Sequence, residues 1–80
     1  MNTIRDRLVV CFQTVFPDLP EAEIPMATQA SVAAWDSVAA ITLVNVIEDE
    51  FGIEVDFDLL AELDSFGRVH EYLCTEMRVS

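Results

Sequence analysis

The stretch Ala33-Ala34-Trp35-Asp36-Ser37-Val38-Ala39-Ala40-Ile41 decides how the chain folds. Before it, residues 17–36 show no period and are broken by Pro17, Pro20 and Pro25; after it, apolar residues recur at helical spacing. Asp36 stands at the boundary as an N-cap, because its carboxylate can accept backbone N–H bonds from the first turn. Ser37 then falls in that first turn, at the positive end of the helix dipole, a position that favours a side chain carrying a phosphate ester. No histidine or second nucleophile lies nearby in sequence, so Ser37 reads as an attachment point rather than a catalyst; the plainer alternative is an ordinary first-turn serine.

Working outward, a helix is expected over residues 37–51. Ile41, Val44, Ile47 and Phe51 share a face that Leu43 and Val46 widen, so the helix is buried on more than one side. Gly52 is the expected left-handed residue beyond its end. Glu48, Asp49 and Glu50 crowd its last turns, the unfavourable end for negative charge, which implies that another demand holds them there. A first helix over residues 3–16 carries a stripe of Ile4, Leu8, Cys11, Phe12 and Val15, with Thr3 and Asp6 resembling a capping box and Pro17 ending it. In the long connection, Leu19, Ile24, Met26 and Val32 are the expected anchors, and Trp35 is expected to tie the loop to the core. Residues 53–57 alternate like a strand but have no partner, so they read as an extended link with Ile53 and Val55 plugging the core. A short helix near 57–62 and a last helix from 64 or 65 to 77, with Phe66, Val69, Leu73 and Tyr72 inward, complete an all-α bundle of three main helices and one short one.

The chain has 80 residues, of which 52% are hydrophobic. That fits one domain (residues 1–80) with a small core, and excludes a disordered chain. The formal net charge is −11, and no basic residue stands between Arg7 and Arg68. Nucleic acid and acidic membranes would be repelled, whereas proteins with basic patches would be steered in. Cys11 and Cys74 fall on apolar helix faces and read as reduced, buried thiols of a cytoplasmic protein; a zinc site is excluded by their spacing and by a single histidine, His70. No signal peptide and no apolar run long enough to span a bilayer are present in the sequence. The acids around Gly52 lack the oxygen ligands of a calcium loop at the required positions. There is no glycine-rich phosphate loop, and His70 is too isolated for a hydrolytic triad and reads as a rim residue.

From Trp35 to Leu73 the sequence resembles the acyl carrier protein family. Asp36-Ser37-Val38 is similar to that family's Asp-Ser-Leu signature. Ile47-Glu48-Asp49-Glu50-Phe51-Gly52-Ile53-Glu54-Val55 is similar to its run of acids, an aromatic, a turn residue and alternating apolars, and Leu63-Asp64-Ser65-Phe66 with Val69 and Tyr72-Leu73 to its final helix. The first helix and the loop agree in length and pattern, so the resemblance covers nearly the whole chain.

The resemblance implies a carrier and not an enzyme. Ser37 Oγ would take phosphopantetheine from coenzyme A through a phosphopantetheinyl transferase, and the arm's thiol would hold acyl groups as thioesters for acyl-loading and acyl-processing enzymes. Asp36 would cap the helix and assist arm transfer by helping to hold magnesium. Val38, Ile41, Glu48 and Asp49 are candidates for partner docking. Leu43, Val44, Ile47, Ile53, Leu60 and Val69 are candidates for lining an acyl pocket, against the alternative of a filled core. A monomer is expected, and a chain that starts with Met1 and ends soon after the last helix is expected to be free-standing. Ala39, Thr42 and Asn45 depart from the acidic and apolar residues common beside the serine in fatty-acid carriers. The expectation is therefore a specialised route: polyketide, modified-lipid, polysaccharide-linked or aminoacyl. Two alternatives stand beside it: an aminoacyl or peptidyl carrier, and an acidic helical adaptor without a prosthetic group.

Overall fold

The computed structural model describes residues 3–77. Three α-helices, α1 (Ile4–Val15), α2 (Ser37–Phe51) and α3 (Phe66–Glu76), are joined through two short 3₁₀ segments, Glu21–Met26 and Phe57–Leu59. The described residues form no strand; one isolated antiparallel bridge pairs Thr28 with Ser65. The fold is thus the all-α bundle expected, with the short fourth helix realised as the second 3₁₀ turn. The first 3₁₀ segment lies inside the long connection, at residues where the sequence shows no period. Pro25 sits within it and Pro20 caps it, which favours a tight, short turn over an α-helix.

Local chemistry sets the helix ends. The Asp6 amide donates to Thr3 Oγ1 at 3.1 Å, half of the anticipated capping box. The Ala39 amide donates to Asp36 Oδ1 at 2.8 Å, and the Arg68 amide to Ser65 Oγ at 3.1 Å. Gly52 adopts φ 66°, a left-handed conformation that glycine reaches without a steric penalty, and its N–H closes α2 on the Glu48 carbonyl.

The core centres on Phe12. Its ring meets Trp35 edge to face at 5.3 Å and 83°, Phe66 at 5.2 Å and Phe16 at 6.1 Å. Trp35 immediately precedes the cap of α2, and Phe66 is the first residue of α3, so one α1 side chain fixes where both other helices begin. Leu8, Cys11, Ile24, Leu43, Ile47, Val69 and Leu73 close around this cluster.

Several expected anchors fall elsewhere. Met26 is 72% exposed, because it ends its 3₁₀ turn on the outer side while Ile24 is the buried residue. Leu19 and Val32 are half-buried against the core. Cys74 is exposed rather than buried: α3 turns Leu73 inward and Cys74 one position round, beside His70 Nε2 at 3.6 Å. Ile41 is 42% exposed, so the buried face of α2 runs through Leu43, Val44, Ile47 and Phe51 instead.

The loop is tied down by backbone bonds to the start of α3. The Phe66 amide donates to the Ala27 carbonyl at 3.0 Å, and the Gln29 amide to the Asp64 carbonyl at 2.8 Å. Thr28 and Ser31 exchange amide-to-hydroxyl bonds at 3.0 Å each, and the Trp35 amide donates to Val32 at 3.0 Å. This accounts for the backbone of a segment that has no helical ladder of its own.

Phe12→Ala is expected to cost about 3–5 kcal/mol, most of the stability available to a domain of this size. Urea denaturation followed by circular dichroism measures it.

Candidate functional site

Ser37 is the first residue of α2 and is exposed. Its Oγ makes no hydrogen bond within the described residues, and neither its amide nor that of Val38 has a backbone partner. The next two amides are occupied by Asp36: Ala39 donates to its side chain and Ala40 to its carbonyl at 2.8 Å. The hydroxyl therefore stands beside two free N–H groups at the positive end of the helix. No acidic residue follows Asp36 in that turn. Asp36 is itself exposed and uses Oδ1 for the cap. An open groove of about 370 Å³ adjoins the serine, lined by Gln29, Ser37, Ala40, Ile41, Leu60 and Ala61.

The placement is rigid because of the residue two positions earlier. Trp35 is 3% exposed and rests on Phe12 and Phe16, the latter at 5.8 Å. A large aromatic sunk into the core next to the N-cap fixes the angle at which α2 emerges and leaves Ser37 on the rim.

Leu43, Val44, Ile47, Leu60 and Val69 come together along one apolar seam between α2 and α3. Ile53 does not join them; it is half-buried elsewhere against the core. Trp35, Ala40, Val55, Leu63 and Tyr72 complete the seam and were not among the expected lining residues. For Tyr72 a signal existed, since it lies three residues after Val69 on the same helix. The seam is nearly filled, with about 10 Å³ of free space.

Of the docking candidates, Val38 is 72% exposed and Ile41 42%, both on the serine's end of α2. Asp49 is exposed near the far end. Glu48 is half-buried, and its Oε2 accepts the Val55 amide at 2.7 Å. That bond anchors the chain just after α2. Glu50 is also engaged. Arg7 Nε donates to its Oε2 at 2.8 Å, Arg7 Nη2 donates to its backbone carbonyl, and the guanidinium lies 4.5 Å from the centre of the Phe51 ring. A cation at the carbonyl end of α2 offsets the charge crowding there. The pairing with Arg7 was missed because the two residues are 43 positions apart.

Among the described residues no cluster of three or more histidine, cysteine or acidic side chains could hold a metal ion, and no helix is long and apolar enough to cross a membrane. Burial, with Glu50 adding to it, pushes the Cys11 thiol up to about 11.

The fold is a small helical bundle that presents an unbonded serine at a helix entrance. The family model described as a phosphopantetheine attachment site matches residues 7–73, and the chain belongs to this family of acyl carrier proteins. Such domains carry phosphopantetheine and are not enzymes. No curated protein and no solved structure matches the chain significantly.

Glu48→Ala leaves the Val55 amide without its partner and should lower stability by about 1–3 kcal/mol, whereas Glu48→Gln, which keeps an acceptor oxygen, should lose much less; urea denaturation of the two variants tests this. In native protein at neutral pH, a thiol-specific disulfide reagent should titrate Cys74 rapidly and Cys11 only after unfolding, because the raised Cys11 value keeps its thiolate scarce.

Proposed function

We propose that Ser37 is the residue that bears the phosphopantetheine arm, and that the protein is an acyl carrier of a specialised biosynthetic route. The observation that carries the reading is the exposed, unbonded Ser37 hydroxyl in the first turn of α2. The residues around it fit the group. Two free amides lie in the same turn as the hydroxyl, the groove offers room beside it, and the single acid at hand, Asp36, has one oxygen in the cap and the other open for a metal ion brought by the modifying enzyme. When bound, the arm supplies a thiol that forms thioesters; the chain's residues orient it and present it.

Docking fits two zones. Val38 and Ile41 give partners an apolar contact next to the arm. Asp49, exposed and outside the Arg7 pair, adds charge further along α2 and suits enzymes with basic patches, the phosphopantetheinyl transferase among them. Between Asp36 and Glu48 the helix bears no charge at all, which supports a pathway other than general fatty-acid synthesis. A cytoplasmic monomer, with neither nucleic acid nor membrane as partner, agrees with the acidic surface. The apolar seam favours an acyl cargo over an amino acid. An adaptor without a prosthetic group has no observation in its favour beyond acidity.

Incubation with coenzyme A and a promiscuous phosphopantetheinyl transferase should add the mass of one phosphopantetheine group to the intact protein. Ser37→Ala should stay folded and gain nothing; a gain in that variant, or none in the parent, refutes the assignment.

A further inference from the structure

Trp35 has a second peculiarity besides its position. It is 3% exposed, yet its Nε1 is a buried side-chain nitrogen with no hydrogen-bond partner, the one such side-chain N or O among the described residues. A buried donor without an acceptor is unfavourable and is rare in folded proteins. If the side chain served only to plug the core against Phe12 and Phe16, a phenyl ring could do so without a donor to satisfy.

Trp35 is also one of the residues that line the apolar seam between α2 and α3, together with Leu43, Val44, Ile47 and Val69. A free space of about 10 Å³ lies at the lower edge of what one water molecule needs, and a water there would find too few polar neighbours to be held well. One side of the seam is less firmly built than the others. Leu60 and Leu63 are half-buried and belong to the segment between the second 3₁₀ turn and α3, not to an α-helix. Leu60 borders both the seam and the groove that adjoins Ser37, so this segment lies between the two.

We propose that Trp35 Nε1–H is a specificity-determining donor for the carried acyl group, and that the preferred cargo bears an oxygen acceptor, a keto or hydroxyl group on the chain, rather than being a plain saturated hydrocarbon. The proposal rests on Ser37 carrying the arm. A saturated chain entering the seam leaves the indole N–H unpaired. An oxygenated chain of equal length supplies the missing acceptor while its remaining carbons meet the aliphatic walls. The preference for the sequestered over the solvent-exposed cargo should differ between the two by up to about tenfold, the equivalent of one hydrogen bond.

The test uses the full chain, loaded by a transferase from coenzyme A analogues whose arms end in a hydrolysis-resistant saturated acyl chain or in its β-keto counterpart of equal length. Intact mass establishes loading, and heteronuclear NMR then follows the indole N–H, unambiguous because the chain has one tryptophan. The β-keto arm should move the indole proton downfield and the saturated arm should not. Replacement of Trp35 by benzothienylalanine, which keeps the shape and removes the N–H, should abolish the difference between the arms in the chemical shifts of the seam methyl groups of Leu43, Val44 and Val69. Equal indole shifts for the two arms overturn the proposal. So does an indole proton that is shifted upfield before loading and unmoved afterwards, which would assign the donor to the face of the Phe12 ring. Failure of Ser37 to take up either arm is a different result: it removes the carrier reading itself, and the cargo preference with it.

Discussion

The structure depends on the contact of Phe12 with Trp35 and Phe66. Each partner stands at the entrance of a helix, and each is buried against the same ring. Helices of this length are marginal by themselves, so their stability comes from packing an apolar face. Here that packing also sets register: with Trp35 seated, the cap at Asp36 and the hydroxyl at Ser37 have one place to go. A mobile serine on a long connection would have been the default for a segment without a helical ladder. The aromatic seat, together with the backbone bonds that join residues 27–29 to the start of α3, converts it into a fixed rim position.

The two ends of α2 do different work. Its N-terminal end is left chemically open, with unpaired amides, an unbonded hydroxyl and exposed aliphatics. Its C-terminal end is closed by Arg7 on Glu50 and Phe51, by Glu48 on the Val55 amide, and by Gly52 in the left-handed region. Acids that are ill placed for the helix dipole are therefore retained for tertiary bonds that the dipole argument alone does not contain. The same division separates what the helix offers to partners from what it needs for its own fold.

Much of this was legible in the sequence. The bounds of α2, its Asp36 cap and its glycine terminus follow from short-range rules that need no tertiary knowledge, and Ser65 was one of two residues expected to start α3. The seat of Trp35 was legible because a large aromatic next to a cap has few other uses. What escaped notice was of two kinds. The first depends on distant pairing: Arg7 with Glu50, Glu48 with Val55, and the Thr28–Ser65 bridge. The second depends on rotation about a helix axis by a fraction of a turn. Cys74 was placed inward by periodicity, yet stands at the rim, and Ile41, which shares the apolar face of α2 and was also a docking candidate, stands there too, because an apolar stripe is broader than the face that neighbouring helices can cover. Ile53 shows the same limit in an extended link, where alternation says that a residue turns inward but not toward which part of the core.

The cations of this protein are all guanidinium groups; the sequence has four arginines and no lysine. Among the described residues, Arg7 and Arg68 are held in ion pairs with Glu50 and Asp64. A guanidinium stays protonated at any physiological pH and is a poor nucleophile. A thioester is an acylating agent that a neutral lysine amine would attack. A carrier built with arginine alone has no side-chain amine with which to consume its own activated load.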